Sequence, residues 1–385
     1  MDRIIIPQAY EGFDFTRSWG DMQRFDWIKA MKDVPQDPVH HAEGDVHIHT
    51  GMVLDAMTKD PAWRSLDSYT RSLEYVAAVM HDVAKPLTTD FKINGRIGHP
   101  GHSPKGALMA RRLLWEMDYP FPFREAICGQ VLFHQMPYWL ITEDNVEKRL
   151  ARLTHMARAD LLSILARADI KGRVCEDQEG VLENIELFGM LAEEHKCFSK
   201  PLEFSDAHTR YSYFRGKCAS RHDVVFDDTW GEVIVMCGLP GSGKDTWIKE
   251  HAGDLPVISY DDMRRAEGIK HGDKVGTGRI RQEATERAKE FLRAKKPFVW
   301  NATNLQRTRR RPLIDMASDY GARVRIVYVE AFHDDTFRQN KDREHTIPEE
   351  AIRKMSRSWE LPTLIEAQEV EYWVGGMKVE SPIWG

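Results

Sequence analysis

The sequence predicts a multidomain chain, with an all-helical N-terminal half followed by an α/β C-terminal half built on a parallel sheet. Three observations carry this expectation. The 385 residues exceed what one ordinary hydrophobic core organises, so two domains are favoured. Up to about His195, apolar residues recur three and four positions apart, as a half-buried helix requires. From residue 231 onward, short β-branched runs alternate with helical stretches, the pattern of parallel strands joined by crossover helices.

In chain order, RSLEYVAAVMHDV, HSPKGALMARRLLWEM, REAICGQVLFH and EKRLARLTHMARADLLSILARADI read as helices of a first domain, assigned to residues 1–200. Residues 201–230 have no clear period and are expected to form a linker or an edge element that packs the halves together. GEVIVMC, LPVIS, KPFVWN and RVRIVYVE read as strands of a second domain, residues 231–385. The sequence contains no internal repeat and no low-complexity tract.

Composition excludes several classes. Hydrophobic residues make up 42% and charged residues 30%, the balance of a folded globular chain. No apolar run approaches the roughly 20 residues of a membrane span, and MDRIIIPQAYEGFD lacks the basic head and apolar stretch of a secretory signal. A cytoplasmic location without membrane association is therefore expected. Cys128, Cys175, Cys197, Cys218 and Cys237 are odd in number and never spaced C-x-x-C, which argues against a disulfide frame or a thiolate zinc site. The net charge of −6 argues against coating nucleic acid through a broad positive field, while a local basic groove for one strand end stays compatible.

Two stretches carry chemistry. Nine of the sixteen histidines lie in the first 160 residues, where His49, the doublet His81–Asp82, His102, His134 and Asp169 form a candidate metal set. Imidazole nitrogen and carboxylate oxygen suit divalent transition metals, and two neighbouring ions can hold a phosphate between them. A helical bundle can gather such ligands from several helices. Any single histidine of the set reads equally well as a satisfied core or surface group. In the second half, VIVMCGLPGSGKDT places a buried-looking strand before a glycine-rich loop and a helix after it, the context of a P-loop. Gly238, Leu239, Pro240, Gly241, Ser242, Gly243, Lys244, Asp245 and Thr246 are the candidate nucleotide-binding residues. Backbone N–H groups turn toward phosphate oxygens and Lys244 supplies a point charge. The position after the lysine is Asp245 where a P-loop normally has a magnesium-ligating hydroxyl. Asp245 itself, a water on it, or Thr246 could take that role.

HTGMVLDAM, HDVAKP and Asp169 within ARADIKGR resemble the metal-dependent HD phosphohydrolase superfamily. The runs EGDVHIHTGMVLDAM and GRIGHPGHSPKGALMA are similar in particular to the HD domain attached to bacterial tRNA nucleotidyltransferases. The resemblance implies metal ligation by His49, His81, Asp82 and Asp169, with His102 and His134 completing a second site as in binuclear members. The expected metals are two ions drawn from Mn, Co, Ni, Fe, Zn or Mg. His99 competes with His102, and Asp160 with Asp169. Lys85 would face the phosphate, or else be a solvated helix-end lysine.

Downstream of the P-loop, ISYDDMRR, WNATNLQRTRRRP and FRQNKDREHTIPEEAIRKM resemble, in order and spacing, the 5′-hydroxyl polynucleotide kinase family typified by the phage enzyme. That resemblance gives Asp261 the proton of the attacking 5′-hydroxyl and Arg264 the acceptor-side phosphate, with Asp262 a neighbour of the base. It makes the last segment a helical lid, with Arg343 on the transferring phosphoryl, Arg338 a second nucleotide-binding candidate, and Asn304 near the cleft. The run Arg307 to Arg311 reads as a solvated charge run, with a phosphate-tracking edge the minority view. The whole chain resembles the bifunctional HD-Pnk end-healing enzymes. It is thereby expected to remove 2′,3′-cyclic phosphate, 2′-phosphate or 3′-phosphate with its first half. Its second half is expected to phosphorylate 5′-hydroxyl ends with ATP or another NTP and Mg. Its partners would be RNA or DNA ends, upstream of a polynucleotide ligase. The alternative is an HD nucleotidase or phosphodiesterase whose P-loop domain acts on a small acceptor or senses ATP.

Overall fold

The computed structural model describes residues 15–269, 273–343, 345–381 and 383. The opening residues 1–14, on which the reading of the N-terminus rests, lie outside the described residues. The chain divides into two units, Met1–Glu203 with Pro382–Gly385, and Phe204–Ser381.

In the first unit, short acidic residues start the helices that matter. Asp45 caps α1 (Val46–Lys59) by accepting from Ile48 N–H, and Asp67 caps α2 (Ser68–Met80) by accepting from Tyr69 and Thr70 N–H. The helices that complete the core are α3 (His102–Glu116), α4 (Phe121–Phe133) and α5 (Ala159–Lys171), and α6 (Gln178–Glu194) packs on α5 near the end of the unit. Their apolar stripes meet in one core that includes Val53, Leu54, Val76, Leu114, Val131 and Leu165, all fully buried. α3 packs on α4 and α1 on α5, bringing the start of α3 beside the end of α4 at His102 and His134 and the start of α1 beside the end of α5 at His49 and Asp169. Gly172, just past α5, sets the α1–α5 spacing. A Cβ there would lie 2.7 Å from the backbone nitrogen of Val53, so only glycine permits the approach.

The second unit is a six-stranded sheet. Its elements in order are β1 (Glu232–Cys237), α8 (Lys244–His251), β2 (Val257–Ser259), α9 (Tyr260–Ala266), α10 (Lys274–Arg293), β3 (Phe298–Asn301), α11 (Arg307–Asp319), β4 (Arg323–Glu330), α12 (His333–Lys341), α13 (Glu349–Ser356), β5 (Glu369–Val374) and β6 (Met377–Val379), with α7 (Ala207–Phe214) preceding them. The spatial order is β2-β3-β1-β4-β5-β6, all parallel except β6, which pairs antiparallel with β5. Five of the six residues of β1 are buried, as expected for a central strand covered on both faces. Chain order reverses at β1, with β3 on one side and β4 on the other, so a crevice opens beyond its C-terminal end. The strands β5 and β6 extend the sheet beyond the four strands that the sequence pattern suggests.

Residues 204–230 pack within the second unit. Arg210 on α7 donates to the carbonyls of Leu364 and Gln368 at 3.0 and 2.7 Å, and Trp230 Nε1 donates to Tyr320 O at 2.8 Å. The RTRRR run differs from the solvated reading at one position. Arg310 is fully buried, makes a two-pronged ion pair with Glu366 at 2.9 Å per bond, and donates to the carbonyls of Asn304 and Glu360 at 3.0 Å. Its guanidinium ties the loop after β3 to the segment before β5, which a lysine could not do bidentately.

Gly172→Ala is expected to push α5 off α1 and to lower the stability of the helical unit by about 1–3 kcal/mol. Urea unfolding followed by far-UV circular dichroism measures this. An unchanged midpoint would mean that the helices separate at no cost.

Candidate metal centre and phosphate cleft

Helix ends supply the donors of the first unit. His49 lies in the first turn of α1, His81 ends α2 and is followed by Asp82, His102 begins α3, His134 ends α4, and Asp169 lies in the last turn of α5. Each imidazole is oriented from behind. The Nδ1–H groups of His81, His102 and His134 donate to the carbonyls three residues earlier, Ala78, His99 and Val131, at 2.7–2.8 Å. His49 differs: its Nδ1 lies 2.9 Å from Glu43 Oε1 and 3.2 Å from Gly172 O. A neutral ring that donates from Nδ1 carries its lone pair on Nε2.

Those lone pairs face one another. The Nε2 atoms of His49 and His81 are 3.4 Å apart, and so are those of His102 and His134. Asp82 lies between the pairs. Its Oδ2 is 3.2 Å from His81 Nε2 and 3.7 Å from His49 Nε2, while its Oδ1 is 3.5 Å from His102 and 3.8 Å from His134. Asp169 Oδ1 is 3.1 Å from His49 Nε2. Two donor groups result around Asp82, His49 with His81 and Asp169, and Asp82 with His102 and His134; a third, His41 and Glu43 with His49, lies behind the first. Asp82 Oδ1 is buried and has no hydrogen-bond partner. A buried carboxylate oxygen without a donor, facing imidazole lone pairs, is the arrangement that divalent cations satisfy, so the residues fit the metals their chemistry suggests.

Charge is balanced around the cluster. Burial opposes ionisation of Asp82, but His81 and Lys85 hold its carboxyl well below the usual range. Burial likewise opposes charge on Asp169, which Arg173 and His49 outweigh. Burial pushes His134 down to about 3, so its ring is neutral and able to donate. Lys85 is not solvated: it is 2% exposed, with Nζ 2.7 Å from Asp82 Oδ2 and donating to Gln36 Oε1 at 2.6 Å. A cleft of about 460 Å³ leads to the cluster, with Lys85, Arg96, His99, His102 and Arg173 in its wall. His99 lines this cleft but belongs to neither donor group, and Asp160 pairs with Arg158 at 2.6 Å outside it. Asp169 is further held by Tyr138 O–H at 2.6 Å and by Arg173 at 2.8 Å.

In the second unit, the glycine loop follows β1. A Cβ on Gly238 would lie 2.2 Å from Val329 O, so glycine alone lets the loop leave the strand this close to β4. Lys244 opens α8, and its Nζ donates to the carbonyls of Gly238 and Leu239 at 2.9 and 2.7 Å. Burial pulls its pKa down to about 8. Gly241 through Thr246 line a cleft of about 880 Å³, whose wall also includes Asp261, Asn301 and Arg343. Asp245 accepts from Asn301 Nδ2 at 2.7 Å and lies 3.9 Å from Arg343.

Other candidates fall differently. Ser259 caps α9 and sets Asp261 and Asp262 in its first turn at the cleft wall, where Arg264 pairs with Asp261 and Arg265 with Asp262. Arg338 pairs with Asp335 at 2.6 Å, is 68% exposed, and is not part of the wall. Asn304 is buried behind β1, donating to Met236 O at 2.8 Å, while Asn301 takes the position at the cleft. Sequence reasoning did not name Glu43, Tyr138, Arg173 or Asn301. The Arg173 signal was present, a basic residue four positions beyond Asp169 and just past the end of its helix.

Comparison with known proteins places an HD domain at residues 52–170 and an AAA domain at 233–362. The N-terminal unit is thus a helical HD domain and the C-terminal unit a P-loop kinase-like α/β domain with a mostly parallel sheet. Two similar curated proteins are both named "Multifunctional CCA protein". The one from Halorhodospira halophila is 37% identical over 98 residues, 26% of this chain and 21% of the relative. The one from Laribacter hongkongensis is 28% identical over 182 residues, 46% of this chain and 42% of the relative. The chain therefore spans less than half of the length of these relatives. A solved gluconokinase from Sinorhizobium meliloti matches with a TM-score of 0.28 and 20% identity, over 39% of this chain and 85% of that one. Among the described residues, no helix is long and apolar enough to cross a membrane.

Asp82→Asn is expected to lower the divalent metal that the purified protein retains, read by elemental analysis, whereas Asp160→Asn leaves it unchanged. Full retention by Asp82→Asn would show that the shared carboxylate holds no ion.

Proposed function

We propose that the chain is a nucleic-acid end-healing enzyme with two separable activities. The helical unit removes 2′,3′-cyclic, 2′- or 3′-phosphate from one end of a break, and the α/β unit phosphorylates a 5′-hydroxyl with a nucleoside triphosphate. The observation that carries the reading is the shared wall of the second cleft, where Asp261, a general-base candidate, lines the same cavity as Lys244 and Arg343. Similarity to proteins named for CCA supports a nucleic-acid substrate for the first unit. Healed ends of this kind are what a polynucleotide ligase joins, so such an enzyme acts before one.

In the helical unit, His49, His81, Asp82 and Asp169 would hold one ion, and His102 and His134, with Asp82, would hold a second. When bound, such ions supply Lewis acidity toward a phosphoryl oxygen and lower the pKa of water. The protein's own groups bind and orient. Lys85 and Arg173, in the cleft wall, attract the phosphate, and Glu43 fixes the His49 ring with Nε2 inward. In the α/β unit, Lys244 leaves the carbonyls of its loop for the β- and γ-phosphates, and Asp261 accepts the proton of the 5′-hydroxyl. The 5′-oxygen then bonds to the γ-phosphorus as the bond to the β-bridging oxygen breaks, and the nucleoside diphosphate leaves. Arg343 stabilises charge on the transferring group, and Arg264, now paired with Asp261, turns to the acceptor-side phosphate.

Lys244→Ala and Asp261→Ala are expected to cut labelling of a 5′-hydroxyl oligonucleotide by ATP at least about a hundredfold, leaving phosphate release intact. His81→Ala or Asp82→Ala should do the reverse. Loss of both activities from either set would contradict two sites, and labelling of free nucleosides in preference to oligonucleotides would favour a small acceptor.

The position of Lys244 also predicts a pH dependence. Phosphate favours the protonated ammonium, and burial in the free loop brings its pKa to about 8. Nucleotide affinity should therefore weaken as pH rises above about 8, by up to about tenfold per unit. Calorimetric titration at pH 7 and 9 measures it, and equal affinities would place the ammonium away from the phosphates.

A further inference from the structure

One wall of the cleft in the helical unit is a small β-ladder, Asp90–Phe91 paired antiparallel with Ile97–Gly98. Its turn is tight: Lys92 N–H donates to Arg96 O at 2.9 Å, and Gly95 adopts a positive φ of 78°. The ladder faces two ways. Lys92, Arg96 and Ile97 line the cleft that leads to the histidine cluster. Phe91 and Ile93, the residues on either side of Lys92, are 70% and 109% exposed, and Leu87, just before the ladder, is 59% exposed. Three large apolar side chains in seven residues are left in solvent beside a polar cleft. Folding does not require them there, because a short polar hairpin would close the same wall. The surrounding charge is mixed, with Asp37 and Asp90 in the cleft wall beside Lys85, Lys92 and Arg96. Arg96 is held by Asp37, but Lys92 and Lys105 form no ion pair among the described residues, and Lys105 Nζ donates only to Leu87 O at 3.1 Å.

We propose that this hairpin is the platform over which a single-stranded polynucleotide leaves the phosphoesterase cleft, with a base stacked on Phe91 and the backbone along Lys92 and Lys105. The proposal rests on the end-healing function and names how that site selects a strand end over a free nucleotide. Exposed aromatic and apolar groups interleaved with unpaired lysines are what single strands require, since every base offers a π-face and every linkage a negative charge. The hairpin forms one wall of the cleft, so a strand whose terminal phosphate is bound there can continue across it. Strand-end selection then arises from binding beyond the scissile group, which raises affinity without altering the chemistry at the ions.

The test uses the full chain and substrates of graded length that end in 2′,3′-cyclic phosphate, from a mononucleotide to a hexanucleotide. The wild type should show KM falling as length grows, and Phe91→Ala/Ile93→Ala should flatten that dependence, raising KM for the hexamer about tenfold while kcat holds. Lys92→Gln should weaken hexamer binding and reduce its salt dependence. Both variants replace exposed groups, so circular dichroism and metal content should match the wild type. The proposal is overturned if the wild type shows no length dependence, if the double variant keeps it, or if KM rises equally for the mononucleotide. A wild type that turns over mononucleotides but no oligonucleotide would instead remove the end-healing function, and this proposal with it.

Discussion

The helical unit depends on the burial of Asp82. Its side chain is 2% exposed, within 4 Å of four imidazole nitrogens and a lysine ammonium, in the middle of five helix ends. An isolated carboxylate in such a place costs several kcal/mol, and it persists only where opposite charge surrounds it. Much else follows from meeting that cost. The helices converge because their termini must deliver the compensating groups. The backbone carbonyls one turn before His81 and His134 are spent on fixing rings, and Lys85 is drawn out of solvent.

The α/β unit solves the complementary problem. There the ligand is an anion, so the site is made from backbone N–H groups, a helix N-terminus and one lysine. In the free loop the ammonium of Lys244 is held by two carbonyls of the loop itself, which keeps it poised at the place that phosphates would take. Asp245 and Arg343, both in the wall of the cleft, are close enough to interact but not to bond directly, at 3.9 Å.

The helical-then-alternating texture of the chain was legible because both periods come from burial on one face or two, which hydrophobicity records directly. The donors were legible because doublets such as His81–Asp82 keep their spacing on paper. Groups that act from behind a donor were not. Glu43 reaches His49 from the segment before α1, and Tyr138 reaches Asp169 from a short turn, so neither has a spacing to betray it. Arg310 was masked by its neighbours: in a run of four arginines, only the fold decides which one turns inward. The strands β5 and β6 were hidden for another reason. EVEYWV mixes charge with aromatics, and its partner Met377–Val379 is too short to stand out.

Glu43 makes the two halves of the histidine cluster unequal. Its carboxylate, 1% exposed, stands behind His49 and is gripped on its other oxygen by Val174 N–H, so the group of His49, His81 and Asp169 has a second carboxylate behind it, while Arg173 offsets the charge of Asp169. The imidazoles His102 and His134 have only neutral carbonyls at their backs. A cation at the first of these positions would feel the Glu43 carboxylate through the His49 ring and one at the second would not, so the two positions would differ in affinity.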